Sequence, residues 1–182
     1  MLPLMPYAGA LRPLLMGAAI IAMIWAVDKT SGRPCHKRAL IAAAAGYALF
    51  MLYATFLSRT VGETYEYRLK LMGTAGRAFS LEGGLHIAGP ELLEGVVLNI
   101  MLFVPVGYLA PQLFRLPPPG TIAAGAGLSA AIEIGQLLTK LGMLDVDDFV
   151  FNTLGTALGM AVLLLLSRQR RNKTIAKGRE SR

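Results

Sequence analysis

The chain has 182 residues, of which 54% are hydrophobic and only 16% charged, with a formal net charge of +7. That length fits one domain, and a soluble domain carries nearer a quarter charged residues, so the composition leans toward lipid. One cysteine, Cys35, excludes an internal disulfide, and two histidines, His36 and His86, leave little for a His- or Cys-rich zinc site.

Five apolar stretches follow in chain order: Leu14–Val27, Ala39–Leu57, Leu92–Phe114, Thr121–Leu141 and Phe149–Leu166. Each approaches the roughly 20 residues a helix needs to cross the hydrocarbon core, the first and fifth only marginally. The expected fold is all-α, a polytopic transmembrane bundle of about five helices, with a membrane domain over 1–166 and a basic tail over 167–182. The first stretch resembles a signal peptide in length. However, Lys29, Arg33, Lys37 and Arg38 follow it, a bias that retains the next loop inside, so it reads as a helix that stays. The stiff run Arg115-Leu116-Pro117-Pro118-Pro119-Gly120 separates the third helix from the fourth.

Seven of the eighteen Lys and Arg lie between Arg168 and Arg182, directly after the apolar run Ala161–Leu166. This is a charge anchor beside a bilayer and its anionic headgroups rather than a nucleic-acid surface. With both basic stretches inside, the N-terminus lies outside, the C-terminus in the cytoplasm, and 58–90 and 142–147 face outward from an inner membrane. In the outer segment Tyr65, Tyr67 and Phe79 with Arg68, Lys70 and Arg77 suggest a stretch lying on the membrane, helical or not. His86 reads as a surface or headgroup residue.

Polar side chains within spans are costly unless paired or wet, so each requires a reason. Ser129, Glu133, Gln136 and Lys140 share one face of the fourth helix, and Asp148, Asn152, Gly155 and Gly159 share one face of the fifth. The third adds Asn99, with Glu91, Glu94 and Gly95 nearer its outer end. Asn99, Glu133, Gln136 and Asn152 then lie at similar depths, roughly 6–12 Å below the outer surface, and are expected to converge on one polar site. The plainer alternative is interhelical glue, with Gly155 and Gly159 as a small-residue packing face that a homo-oligomer would use. Glu133 is the sharpest candidate: a buried carboxylate is protonated, paired with a cation such as Lys140, or exposed to a wet cavity. In Asp145-Val146-Asp147-Asp148, Asp147 or Asp148 is expected to cap the fifth helix. The same three carboxylates, Asp145, Asp147 and Asp148, are weak candidates for a divalent cation or a ligand amine.

These residues also spell a pattern. Asn99-Ile100-Met101-Leu102-Phe103-Val104-Pro105-Val106-Gly107 is similar to the N-I-x-L-F-x-P-x-G segment of VanZ-like membrane proteins. Ile132-Glu133 through Gln136 resembles their I-E-x-x-Q helix, and Asp145 through Asn152-Thr153-Leu154-Gly155 to Gly159 resembles their D-x-D-D-x-x-x-N-T-x-G-x-x-x-G ending. The resemblance covers a core of about 91–166; the Asn-x-x-Pro-Phe-type stretch that members often carry before it is absent.

The resemblance implies a bacterial envelope protein, since the family's namesake is associated with low-level resistance to teicoplanin, a lipoglycopeptide acting at the outer face of the cytoplasmic membrane. It implies no cofactor and no secure reaction. The expected role is binding a lipophilic or lipid-linked glycoconjugate through Asn99, Glu133, Gln136, Asn152 and the aspartates. Two rivals stay open: an enzyme with Glu133 as acid or base, and a proton-coupled transporter or flippase using Glu133 and Lys140 as a relay.

Overall fold

A computed structural model describes residues 8–69, 79–80, 86–87 and 90–180. The described chain forms five helices: α1 (Ala8–Lys29), α2 (His36–Leu52), α3 (Pro90–Phe114), α4 (Pro118–Thr139) and α5 (Val146–Glu180). Four are long and apolar enough to cross a membrane, namely α2 continued to Leu57, then α3 from Glu94, α4, and α5 to Lys177. The chain is an all-α bundle and a multi-pass membrane protein. Outward faces carry large apolar side chains such as Leu15, Ile21, Leu49, Leu138 and Leu165, as hydrocarbon surroundings permit. In α1, Arg12 with Pro13 at one end and Asp28 with Lys29 at the other confine the apolar stretch to Leu14–Val27. That is about 21 Å of helix, less than the ~30 Å hydrocarbon core.

Helix boundaries follow local chemistry. α4 begins on Pro118 at N1, where a missing N–H is harmless, and ends at Thr139 because Lys140 takes a left-handed conformation with φ 55°. The expected continuation to Leu141 therefore fails by one turn geometry. At α5 the expected end at Leu166 is passed by fourteen residues, to Glu180. No Gly or Pro interrupts 160–177, and Arg, Gln, Lys and Ala are all good helix formers, so the helix outlasts its apolar part. α2 passes into a π turn over Tyr53–Leu57.

The bundle is assembled around α3 and α5. At Gly155 a Cβ would strike the Ile100 carbonyl, at Gly159 that of Val104, and at Gly107 that of Thr156. The two backbones therefore touch, with the expected small-residue groove filled by α3 of the same chain. This corrects the homo-oligomer reading: that face has no surface left to offer a second copy. Tyr47 of α2 donates its hydroxyl to the Leu102 carbonyl, in the α3 turn that Pro105 loosens by removing an N–H. Phe103, Met51 and Ile132 form one apolar cluster. Val27, Leu40, Tyr108, Leu109, Met160 and Leu163 form a second.

Asp28 at the end of α1 pairs with Arg170 of α5 at 3.3 Å, so the basic α1–α2 turn and the basic end of α5 occupy one end of the bundle. At the opposite end, β1 (Tyr67–Arg68) pairs in parallel with β4 (Leu144–Asp145), with Tyr67 opposite Leu144 and Arg68 opposite Asp145. A second pairing, β2 (Phe79–Ser80) with β3 (His86–Ile87), is antiparallel. The stretch around Tyr67 is thus extended and tied to the α4–α5 turn; Lys70, Arg77 and the side chains of Phe79 and His86 lie outside the described residues.

Candidate functional site

A cavity of about 620 Å³ opens at the strand-bearing end, walled by α3, α4, α5 and the segment after α2. It collects Asn99, Glu133, Gln136 and Asn152, with Asp145 and Asp148. Asp147 is 1% exposed and does not line the wall. Among the described residues no three His, Cys, Asp or Glu side chains group as metal ligands, so the aspartates form no common ligand set.

Several of these polar groups are held by their neighbours. Glu133 Oε2 accepts from the Asp145 backbone N–H at 2.9 Å, which ties the middle of α4 to the start of α5. Asp145 in turn accepts from the Asp147 N–H at 3.0 Å through Oδ1 and from Arg68 Nη1 at 2.7 Å through Oδ2. The acceptor that caps α5 is therefore Asp145, rather than Asp147 or Asp148, because β4 runs directly into the helix and leaves Asp145 at the N-cap. Asp147 and Asp148 lie in the first turn, where negative charge suits the helix dipole.

Lys140 is not the partner of Glu133. Its left-handed cap turns it toward the surface, where Nζ donates to the Glu63 carbonyl at 3.2 Å and sits 4.7 Å from the Tyr65 ring centre. A Glu133–Lys140 relay consequently lacks its second member. Gln136 Nε2 donates to the Thr55 carbonyl at 2.9 Å, inside the π turn. π turns leave backbone groups off register and recur at functional sites; here a side chain from α4 satisfies one of them. Gln136→Leu should leave that buried carbonyl unpaired at a cost of about 1–2 kcal/mol. The thermal midpoint in detergent is expected to fall by a few degrees.

Asn152 is 3% exposed. Its Nδ2 donates to Ser129 Oγ at 2.9 Å, while Oδ1 has no hydrogen-bond donor among the described residues. One end is thus satisfied, and the other is a buried acceptor on a residue that lines the cavity.

Two cationic walls escaped the helical pattern. Arg59 and Arg68 both line the cavity, and Arg59 is close enough for its charge to act on Glu133 and Asp148. Glu66 joins them, so among the described residues two guanidiniums face four carboxylates. The available sign was their place: Arg59 directly follows a span, and Arg68 sits among tyrosines in a segment otherwise read as surface. The remaining wall is apolar, including Phe50, Leu102 and Phe103.

No curated protein and no solved structure matches the chain significantly. The VanZ/LLP1 family profile matches residues 39–167. That span starts at α2, well before the core expected from the motifs, and it includes the π turn, Arg59 and Arg68. All the polar walls of the cavity thus fall inside the match, and the chain belongs to the VanZ/LLP1 family.

Proposed function

We propose that this protein binds the polar headgroup of a lipophilic or lipid-linked glycoconjugate in this cavity, at the outer leaflet of a bacterial cytoplasmic membrane. Its role would be glycopeptide resistance of the teicoplanin type or envelope maintenance. The carrying observation is the Asn152 carboxamide, buried on a residue that lines the cavity, with Oδ1 lacking a donor among the described residues. Leaving such an acceptor unpaired costs about 1–3 kcal/mol, which a ligand hydroxyl or amide N–H would recover. The neighbouring carboxylates are further acceptors for hydroxyls, and their excess over the two arginines favours a ligand that carries an amine. The placement is supported by charge. Both basic stretches gather at the end opposite the cavity, which the positive-inside tendency assigns to the cytoplasm.

The test uses the full chain in lipid nanodiscs with two probes, teicoplanin and an undecaprenyl-linked disaccharide, read by calorimetry. Glu133→Gln keeps an oxygen for the Asp145 N–H, and Asn152→Ala removes only a small amide, so both should fold. Each is expected to weaken binding at least tenfold, with membrane abundance unchanged. Wild-type affinity in both variants would remove the headgroup reading. Turnover of the disaccharide probe, lost in Glu133→Gln, would move the assignment to an enzyme with Glu133 as its acid or base.

A further inference from the structure

The polar cavity has an apolar neighbour. A groove of about 680 Å³ runs between α1 and α2, with Leu15, Ala19 and Met23 on one side and Ala43 and Gly46 on the other. The two hollows share three wall residues, Met16, Phe50 and Leu98, so the groove begins where the cavity ends. Both volumes are in the range of ligand sites.

Its composition is one-sided. Among the described residues, apart from Tyr47, whose hydroxyl is already bonded to α3, the only polar lining residue is Arg12. Arg12 lies toward the cavity end of α1, since Asp28 at the other end meets Arg170. From Arg12 to Met23 the helix rises about 16 Å, close to the ~15 Å depth of one hydrocarbon leaflet. Gly46 faces open space, with nothing among the described residues within 4 Å of where a Cβ would stand.

We infer that the groove between α1 and α2 holds a hydrocarbon chain of the same molecule whose headgroup occupies the polar cavity. The ligand is thereby specified as an amphiphile drawn from one leaflet, entering sideways between α1 and α2. This rests on the headgroup reading above. It adds a role for α1, among the described helices the one that lies outside the family match and outside the set long and apolar enough to span. A polar end held by buried amides and carboxylates fixes position, while the apolar slot supplies non-directional affinity in proportion to the chain surface it covers.

The experiment uses the full chain in phosphatidylcholine nanodiscs and a monoglucosyl diacylglycerol with a diazirine at mid-chain. Photolysis should label 15–23 of α1 and 42–50 of α2. Excess unlabelled glucolipid should suppress the labelling, and diacylglycerol with the same chains should not. Gly46→Phe has room for its Cβ among the described residues and projects a ring into the groove, so it should lower both labelling and glucolipid affinity about tenfold; Ala43→Phe gives a second blocking position. If glucolipid binds in a Glu133-dependent manner but labels other surfaces, and neither blocking variant matters, the chain runs elsewhere and only this inference falls. If diacylglycerol competes equally and Glu133→Gln changes nothing, the groove is ordinary lipid-facing surface, and the headgroup reading falls with it.

Discussion

Gly159→Val is expected to abolish the folded bundle, while Gly127→Val leaves it close to wild type. A Cβ at Gly159 would overlap the Val104 carbonyl, with the Val104 carbon at 2.8 Å and the Tyr108 amide nitrogen at 3.0 Å. All three are backbone atoms, so no rotamer change relieves the clash. Overpacking an ordinary core costs about 1–3 kcal/mol because side chains shift; here two helices must separate. Separation would loosen Phe103 and Tyr108, both fully buried, and the packing that dominates helix association in lipid. Gly127 has nothing among the described residues within 4 Å of an added Cβ. The measurement is the fraction of monodisperse protein after detergent extraction, with thermal midpoints for whatever survives. A Gly159→Val protein as stable as wild type would mean that α3 and α5 do not meet backbone to backbone.

The same glycine shows how far the sequence could be read. The four-residue spacing of Gly155 and Gly159 marks a close helix contact, but small residues say nothing about whose helix fills them. The partner proved to be α3 of the same chain. Helical periodicity served well where the helix lasts. Ser129, Glu133 and Gln136 are all buried on one face of α4, and Asn152 of α5 reaches Ser129 across the interface. The pattern failed at Lys140, one residue past the helix end, because a left-handed cap redirects the side chain whatever its position in the repeat. Arg59 and Arg68 were beyond reach for another reason. They lie in a segment without period: Arg59 comes directly after the π turn, and Arg68 is placed by strand pairing between residues 77 positions apart in sequence, a tertiary event with no local signature. The π turn is equally silent in sequence, since Tyr53–Leu57 has the composition of the helix before it.

Asp145→Ala should cause the second large loss, and Asp145→Asn separates its parts. The Asp145 carboxylate closes two contacts at once: it caps α5 through the Asp147 N–H and it anchors β1 through Arg68. Losing an N-cap costs about 1 kcal/mol, and losing a hydrogen bond to a charged partner about 1.5–3 kcal/mol. Arg68 is about a third exposed, so water recovers part of the second term. The combined effect is on the order of 2–3 kcal/mol. Asparagine retains a neutral acceptor for the cap and forfeits the charge on Arg68. Hydrogen exchange reads the two parts independently. In the alanine variant the Asp147 amide and the β1–β4 amides, Leu144 to the Glu66 carbonyl among them, should all exchange faster. In the asparagine variant the Asp147 amide should stay protected while the strand pair opens. Because Glu133 is held by the Asp145 backbone rather than its side chain, Glu133 keeps its hydrogen bond in both. Loss of ligand binding in Asp145→Asn would therefore point to the Asp145 charge, acting directly on the ligand or through Arg68, as part of the site's wall. Unchanged exchange in the alanine variant would show that Asp145 neither caps the helix nor ties the strand to it.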